Sequence, residues 1–213
     1  MEIDASVIAA AVALAIKNTQ TDNNGIPVGI SNRHIHLTHE HVEILFGKGY
    51  LLQPLKELSQ PGQYACKETL TIVGPSLRPI EKVRVLGPER SASQVEISRT
   101  DSYLLKVKPP VRESGDIKGS APITIIGPCG IVELKEGCII ANRHIHMSEE
   151  DGKRFGVKDG DYVTVDANGE RRTRFFDVQV RVNKNFRLEM HLDTDDANAA
   201  ALKNGDRVVI SDK

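Results

Sequence analysis

The pentapeptide Asn-Arg-His-Ile-His occurs twice in this chain of 213 residues. The first copy contains His34 and His36, and the second contains His144 and His146, at a constant offset of 110 residues. In an extended segment, side chains at positions i and i+2 project from the same face, so each copy predicts two imidazoles that point together. Zinc takes roughly three or four nitrogen or oxygen donors, and imidazole suits it. The repeat therefore predicts two metal-binding histidine pairs.

Three further residues could take part in the same chemistry. His191 lies in another strand-like run, just before a predicted helix cap. Glu96 lies in an alternating strand; it supplies a carboxylate ligand if its face looks into the site and is ordinary surface if that face looks outward. Arg90 lies in a turn rich in glycine, proline and serine, where a fixed guanidinium could hold phosphate.

Short alternating runs of apolar and polar residues, separated by glycine and proline, dominate the chain from Ile26 onward. They predict strands at 68–74, 80–87, 94–98, 121–127, 130–134, 161–167, 174–182 and 206–210. Helices are predicted to be short and to begin at Thr38, Ser148 and Thr194, which have side chains suited to N-caps. This pattern predicts a mainly β fold of barrels or sandwiches.

The repeat suggests that the chain has two related halves, each a small β-barrel capped by short α-helices, with the two copies facing each other across a pseudo-twofold axis. The predicted first barrel spans residues 26–141 and the second spans residues 142–213. Residues 1–25 are predicted to form an N-terminal helix, over 1–16, followed by a polar linker. That helix either docks onto a partner or packs on its own domain.

Composition excludes several classes of function. The 28 basic and 29 acidic residues give a net charge of -1, so no broad field attracts the chain to nucleic acid or to an anionic membrane. No apolar run approaches the roughly 20 residues of a membrane-spanning helix. The three cysteines form no C-x-x-C pair, which argues against a disulfide framework or a cysteine zinc site and favours the cytoplasm.

Long segments of the chain resemble the PduL-type phosphate propanoyltransferase family. The resemblance is carried by VGISNRHIHLT, QPGQYA, VRVLGPERSASQVEISRTD, IANRHIHMS and LEMHLDTDDANAA, and it extends from Ile26 to Lys213. It implies two β-barrels with a dinuclear zinc site, two Zn²⁺ per chain, at their junction. It also implies the reversible conversion of acyl-CoA and phosphate into acyl-phosphate and CoA, with propionyl-CoA or another short acyl-CoA such as acetyl-CoA as substrate.

The resemblance also assigns roles to individual residues. It implies one zinc held by His34, His36 and Glu96 and another held by His144, His146 and His191. It implies a catalytic, phosphate-binding Arg90 with neighbours Gln60, Gln63 and Ser114. It implies CoA contacts at Ser31, Lys56, Arg84, Leu86, His191 and Asn198, and an acyl-group contact at Tyr103.

The resemblance also bears on partners and location. Members of the family found in bacterial microcompartments carry an N-terminal helix and linker like residues 1–25, so residues 1–16 are expected to contact shell or cargo proteins in such a compartment. A role in propanediol degradation, in the cytoplasm or inside a microcompartment, follows from the same resemblance. Association into a homo-oligomer is compatible with the sequence.

Two other classes of function compete with an acyltransferase. His34, His36, Glu40 and Gly47 reproduce the spacing of the first metal motif of cupins, which would make the chain a single-metal oxygenase or isomerase. Against a cupin, residues 38–46 are predicted to form a helix. A non-catalytic scaffold protein would leave six potential ligands unused. Because no serine or cysteine with a partnering base stands out, direct transfer in a ternary complex is favoured over an acyl-enzyme.

Overall fold

The computed structural model describes residues 25–212, and these form fourteen strands and four short helices. The strands are β1 (Ile26–Ser31), β2 (His34–His36), β3 (Pro54–Glu57), β4 (Tyr64–Val73), β5 (Pro79–Gly87), β6 (Gln94–Glu96), β7 (Val111–Arg112), β8 (Ala121–Ile126), β9 (Ile131–Ala141), β10 (His144–Met147), β11 (Tyr162–Ala167), β12 (Thr173–Val182), β13 (Glu189–Asp193) and β14 (Arg207–Asp212). The helices are α1 (His39–Phe46), α2 (Arg99–Leu105), α3 (Glu149–Phe155) and α4 (Thr194–Ala200). The predicted N-terminal helix, with its linker up to residue 24, lies outside the described residues.

The strands form two closed barrels of six strands each, which confirms the predicted fold class. One barrel follows the order β1-β13-β10-β12-β11-β14 and closes through the pairing of β14 with β1. The other runs β4-β5-β2-β6-β9-β8 and closes because β8 pairs with both β9 and β4. Strands β3 and β7 extend this second ring at β4 and β9.

Each barrel has its own apolar core, and the core explains where the histidines point. Ile35, between the histidines of β2, is fully buried in one core, and Ile145, between the histidines of β10, is fully buried in the other. Because side chains alternate along a strand, an inward isoleucine places its two neighbours on the outer face of the barrel. Those histidines are nevertheless buried, with 3 to 7% exposure, because the other barrel covers that face.

The chain crosses from one barrel to the other at each copy of the pentapeptide. Strand β1 belongs to the barrel of β10, and the chain then enters the other barrel at β2. Strand β9 belongs to the barrel of β2, and the chain then returns at β10 to the barrel that contains β1. The predicted division at 26–141 and 142–213 therefore differs from the strand pairing, because residues 26–31 complete the barrel formed by the C-terminal residues.

Four strand-to-helix units surround the junction of the barrels. Strands β2, β6, β10 and β13 each lead into a helix whose N-cap side chain accepts a backbone hydrogen bond: Thr38, Ser98, Ser148 and Asp193. Such caps satisfy donors that short helices would otherwise leave free. The caps fix the ends of the strands that carry the candidate ligands. Within residues 25–212, no helix is long and apolar enough to cross a membrane.

Candidate active site

A cavity of about 750 Å³ lies between the two barrels and is lined by both histidine pairs. This volume is within the range of small-molecule sites. Both barrels contribute to its wall, with Arg90 and Glu96 from one and Arg181 and His191 from the other. The site therefore exists only where the two barrels meet.

His34, His36 and Glu96 form the first potential metal-binding triad, and each offers a ligand atom within 4.8 Å of the other two. His34 and Glu96 are register partners on neighbouring antiparallel strands, which brings Nε2 of His34 to 3.4 Å from Oε2 of Glu96. Nε2 of His36 lies 4.0 Å from Oε1 of the same carboxylate. The alternating face of Glu96 thus looks into the site.

His144, His146 and His191 form the second triad, with ligand atoms that also lie within 4.8 Å of one another. The ring centroids of His144 and His191 are 5.0 Å apart, and those of His146 and His191 are 4.7 Å apart. Phe186 packs against His146 with ring centroids separated by 4.4 Å. Three imidazoles so close together form a donor set that suits a metal ion such as zinc.

The two triads occupy equivalent places in the two barrels. His34 pairs in register with Glu96, and His144 pairs in register with His191, in both cases across antiparallel strands. The duplication seen in the pentapeptide therefore extends to the third residue of each triad, although the residue types there differ. One triad carries a carboxylate and the other is made of imidazoles alone.

The hydrogen-bond partners of the ring nitrogens are consistent with metal binding by the histidines. Nδ1 of His34 donates to the carbonyl of Asn32, and Nδ1 of His144 donates to the carbonyl of Asn142, both at 2.8 Å. Such a bond fixes the tautomer and leaves Nε2 with a lone pair for a ligand. Among residues 25–212, Nδ1 of His36, Nδ1 of His146 and Nε2 of His191 are buried without a hydrogen-bond partner. Buried polar atoms are rarely left unpaired, so the unpaired nitrogens of His36 and His146 fit a site for a metal ion.

The pKa shifts of His36, His146 and Glu96 favour metal binding. Burial, then the charges of His34 and Arg90, lowers the pKa of His36 to about 3. Burial, then the charges of His191 and Arg181, lowers the pKa of His146 to about 3. Burial raises the pKa of Glu96, but the two histidines beside it outweigh burial and hold this pKa well below its usual range. Neutral imidazoles and an ionised carboxylate are the forms that coordinate a metal. Burial lowers the pKa of His34, but the neighbouring carboxylate of Glu96 outweighs burial and raises it, so metal binding there would release a proton.

Arg90 is held beside the first triad by a hydrogen-bonded network. Its Nη1 donates to Oγ of Ser114 at 3.0 Å, and Nε2 of Gln94 donates to the same oxygen at 3.0 Å. Ser114 in turn donates to Oε1 of Glu96 at 2.7 Å. A hydroxyl has one proton to donate and two lone pairs, so Ser114 has no further capacity here. Its position indicates that it orients Arg90 and Glu96. The contact with phosphate that the family resemblance implies for Ser114 stays a prediction.

Gln60, a second predicted neighbour of phosphate, connects the two barrels. Its side chain is 3% exposed; Nε2 donates to the carbonyl of Arg187 at 3.0 Å, and Oε1 accepts from the backbone N–H of Arg187 at 3.2 Å. Ser59, next in the chain, donates to the carboxylate of Glu189. Nε2 of His191 lies 2.8 Å from that carboxylate, without the geometry of a hydrogen bond. We call this set of contacts between residues 59–60 and 187–189 the inter-barrel latch.

The remaining predicted residues divide into two groups. Ser31, Lys56, Gln63, Arg84 and Leu86 line the cavity. Tyr103 and Asn198 are exposed and lie outside its lining, Tyr103 with 69% of its surface free. Their predicted contacts with the acyl group and with CoA remain predictions.

The geometry of the first triad does not favour a cupin. The carboxylate beside His34 and His36 comes from Glu96, whereas Glu40 is exposed on α1.

Three residues that the sequence analysis did not single out also lie at the site: Gln94, Arg181 and Glu189. A signal for Arg181 was present, because the alternation in the predicted strand 174–182 places it on the face opposite the valines.

Comparison with known proteins relates the chain to one family. The sequence profile of phosphate propanoyltransferase matches residues 27–203. The chain is 60% identical to a phosphate propanoyltransferase of Lachnoclostridium phytofermentans over 185 residues, which are 87% of this chain and 86% of that protein. It is 59% identical to one of Thermotoga maritima, covering 87% and 89%, and 52% identical to one of Priestia megaterium, covering 96% and 94%. All six triad residues fall within the matched region.

Proposed function

We propose a reaction for this chain from the premise that it belongs to the phosphate propanoyltransferase family and is an acyltransferase. The proposed reaction is reversible transfer of a short acyl group, with propionyl preferred and acetyl as the alternative, between CoA and inorganic phosphate. The observation that carries the proposal is that two triads able to hold a metal ion and a fixed arginine line one cavity.

We further propose that His34, His36 and Glu96 hold one Zn²⁺ and that His144, His146 and His191 hold a second. The unpaired, buried imidazole nitrogens and the low pKa of His36 and His146 support this assignment. When bound, zinc would supply Lewis acidity for the thioester carbonyl and a good partner for the thiolate sulfur.

The residues of the chain bind and orient the nucleophile. In the forward direction a phosphate oxygen attacks the carbonyl carbon, the C–O bond forms, the C–S bond breaks, and the CoA thiolate takes up the phosphate proton. The Arg90 guanidinium offers phosphate a planar fork, and its bond to Ser114 fixes where that fork points. Holding an anionic nucleophile in line accounts for a large part of the acceleration that such a site can give.

Direct transfer is favoured over an acyl-enzyme by the state of the serines in the cavity. Ser59 donates to Glu189, Ser98 caps α2, and Ser114 is saturated. Ser31, the remaining serine of the lining, has no basic hydrogen-bond partner among the described residues. The buried thiol of Cys66 has a pKa raised by burial to about 11, so it is a poor nucleophile at neutral pH.

We also propose that the enzyme acts in the cytoplasm or inside a bacterial microcompartment, and that residues 1–16 contact shell or cargo proteins there. A place in propanediol degradation would follow. These proposals rest on the resemblance of residues 1–25 to family members of that kind.

The test is phosphate-dependent release of free thiol from acetyl-, propionyl- and butyryl-CoA by zinc-loaded protein. We expect release with equal formation of acyl-phosphate, fastest with propionyl-CoA. Absence of phosphate-dependent release with all three substrates would contradict the proposed function. Labelled CoA distinguishes the two routes, because a ternary mechanism predicts no exchange of label into propionyl-CoA without phosphate, whereas an acyl-enzyme predicts rapid exchange.

A further inference from the structure

Arg181 has no role in the site described so far, yet its guanidinium lines the same cavity as both triads. We infer that Arg181 is a second phosphate-binding residue, which contacts the phosphoryl group from the barrel opposite Arg90. This inference rests on the proposed function and adds a residue to it. Arg90 and Arg181 would then form a two-sided clamp, each on one barrel and beside one triad.

The position of Arg181 follows from strand register. Strand β12 runs parallel to β10, and Arg181 is the register partner of His146. Register partners on neighbouring strands point to the same face of a sheet, so the guanidinium projects beside the second triad. Its side chain is only 17% exposed. Lys56, by contrast, is exposed on β3, where all four residues are exposed, so it suits the outer phosphates of CoA better than the reacting group.

The guanidinium of Arg181 is held on one edge and open on the other. Its Nε and Nη2 each donate to Oε1 of Gln179 at 3.3 Å. Its Nη2 lies 3.8 Å from Oε2 of Glu113, without a hydrogen bond. Nη1 has no partner within residues 25–212. A planar fork fixed on one edge and free on the other is suited to a phosphate anion.

A purely structural role for Arg181 explains these contacts less well. Glu113 is half exposed and makes no hydrogen bond to it, so this ion pair contributes little. Arg174, on the same strand, shows what a satisfied structural arginine looks like here, because its Nε and Nη2 bond both carboxylate oxygens of Asp166 at 2.6 and 2.8 Å. A guanidinium that is mostly buried and poorly paired needs an anionic partner.

The contacts of Arg90 and Arg181 place them on opposite walls of one cavity. Arg90 donates to Oγ of Ser114, which donates to Oε1 of Glu96 in the first triad. Arg181 is the register partner of His146 in the second triad. Two guanidinium groups converging on one polar centre can hold the several oxygens of a phosphoryl group at once.

The experiment compares Arg181→Gln and Arg181→Lys with a control, Arg174→Lys, on the same strand but outside the cavity. We expect Arg181→Gln to raise the phosphate KM by about ten- to a hundredfold, the loss expected when a charge-assisted hydrogen bond to an anion is removed. Arg181→Lys should raise it less, and the KM for propionyl-CoA should stay within about twofold in both, because only the phosphate contact is lost. Arg174→Lys should leave both constants unchanged.

Binding gives a readout that does not depend on turnover. Calorimetric titration of inorganic phosphate into zinc-loaded protein should show the same rise in Kd for Arg181→Gln, with zinc content unchanged. Unchanged phosphate affinity, or an equal rise in the KM of both substrates, would overturn the inference. If Arg181→Gln does not fold, Arg181→Lys decides by the same criteria. If wild-type protein releases no thiol with phosphate, the proposed function fails, whereas the phosphate titration still decides the role of Arg181.

Discussion

Replacing Gln60 by alanine tests whether the inter-barrel latch holds the site together. The substitution removes both hydrogen bonds between the Gln60 amide and the backbone of Arg187. At about 0.5 to 1.5 kcal/mol net for each bond, the loss amounts to about 1 to 3 kcal/mol of unfolding free energy. Arg187 is exposed, so water can rebond its backbone groups, which favours the lower half of that range.

The assay is thermal unfolding of phosphate-free protein, followed by steady-state kinetics. A loss in that lower half, about 1 to 2 kcal/mol, lowers Tm by roughly 2 to 8 °C in a chain of this length. Gln63→Ala is the matched control, because Gln63 lies in the same loop and cavity wall but makes no side-chain hydrogen bond within residues 25–212. We expect kcat to fall in Gln60→Ala with similar changes in both KM values. An unchanged Tm together with a higher KM for phosphate alone would refute this reasoning and make Gln60 a phosphate ligand.

Three other predictions concern the metal, the nucleophile and the N-terminus. His34→Ala and His144→Ala should each abolish thiol release while the barrels stay folded, because each removes a proposed ligand without touching a core. Near-normal turnover of either variant in a colorimetric thiol assay would contradict the two-metal assignment. Arg90→Lys should raise the phosphate KM and lower kcat while changing the propionyl-CoA KM little, since lysine offers a point charge in place of a fork; equal changes for both substrates would move Arg90 out of the phosphate site. Deletion of residues 2–24 should leave specific activity unchanged. Deletion of residues 2–31 should prevent folding, because it also removes strand β1 from its barrel. If circular dichroism and turnover show that the protein lacking residues 2–31 is folded and active, this strand is dispensable.

Local pattern predicted most strands to within a few residues, and the exceptions have physical causes. The predicted strand 80–87 is Pro79–Gly87 in the structure. The predicted strand 130–134 extends to Ala141, because Gly137 adopts a φ of 140° where the register between β8 and β9 shifts. A glycine therefore marked a bulge inside a strand where the pattern had suggested its end.

The helix predictions failed where capping signals were ambiguous or overlooked. Helix α2 was not predicted, although Ser98 and Asp101 form a capping box around its first turn. Helix α4 was predicted to begin with Thr194 as its cap, but Asp193 is the cap. Threonine and aspartate are both good caps, so neighbouring candidates cannot be distinguished by residue type.

The sequence predicted which residues form the triads, but it did not predict which strands make up each barrel. The repeat of His34 and His36 at His144 and His146 is visible in the chain itself. The placement of β1 in the barrel of β10 depends on pairings between residues far apart, such as Gly29 with His191. A strand's alternation shows which face is buried, but it does not identify the partner strand, so the division at residue 141 followed the repeat and not the pairing.

The most direct test of the account is a titration of metal-free protein with zinc while thiol release from propionyl-CoA is measured in the presence of phosphate. Because each barrel supplies one complete triad to a shared cavity, we predict that activity rises until two equivalents of zinc are bound per chain and then stays constant. Full activity at one equivalent, or full activity in zinc-free protein, would contradict the proposal that both triads act together.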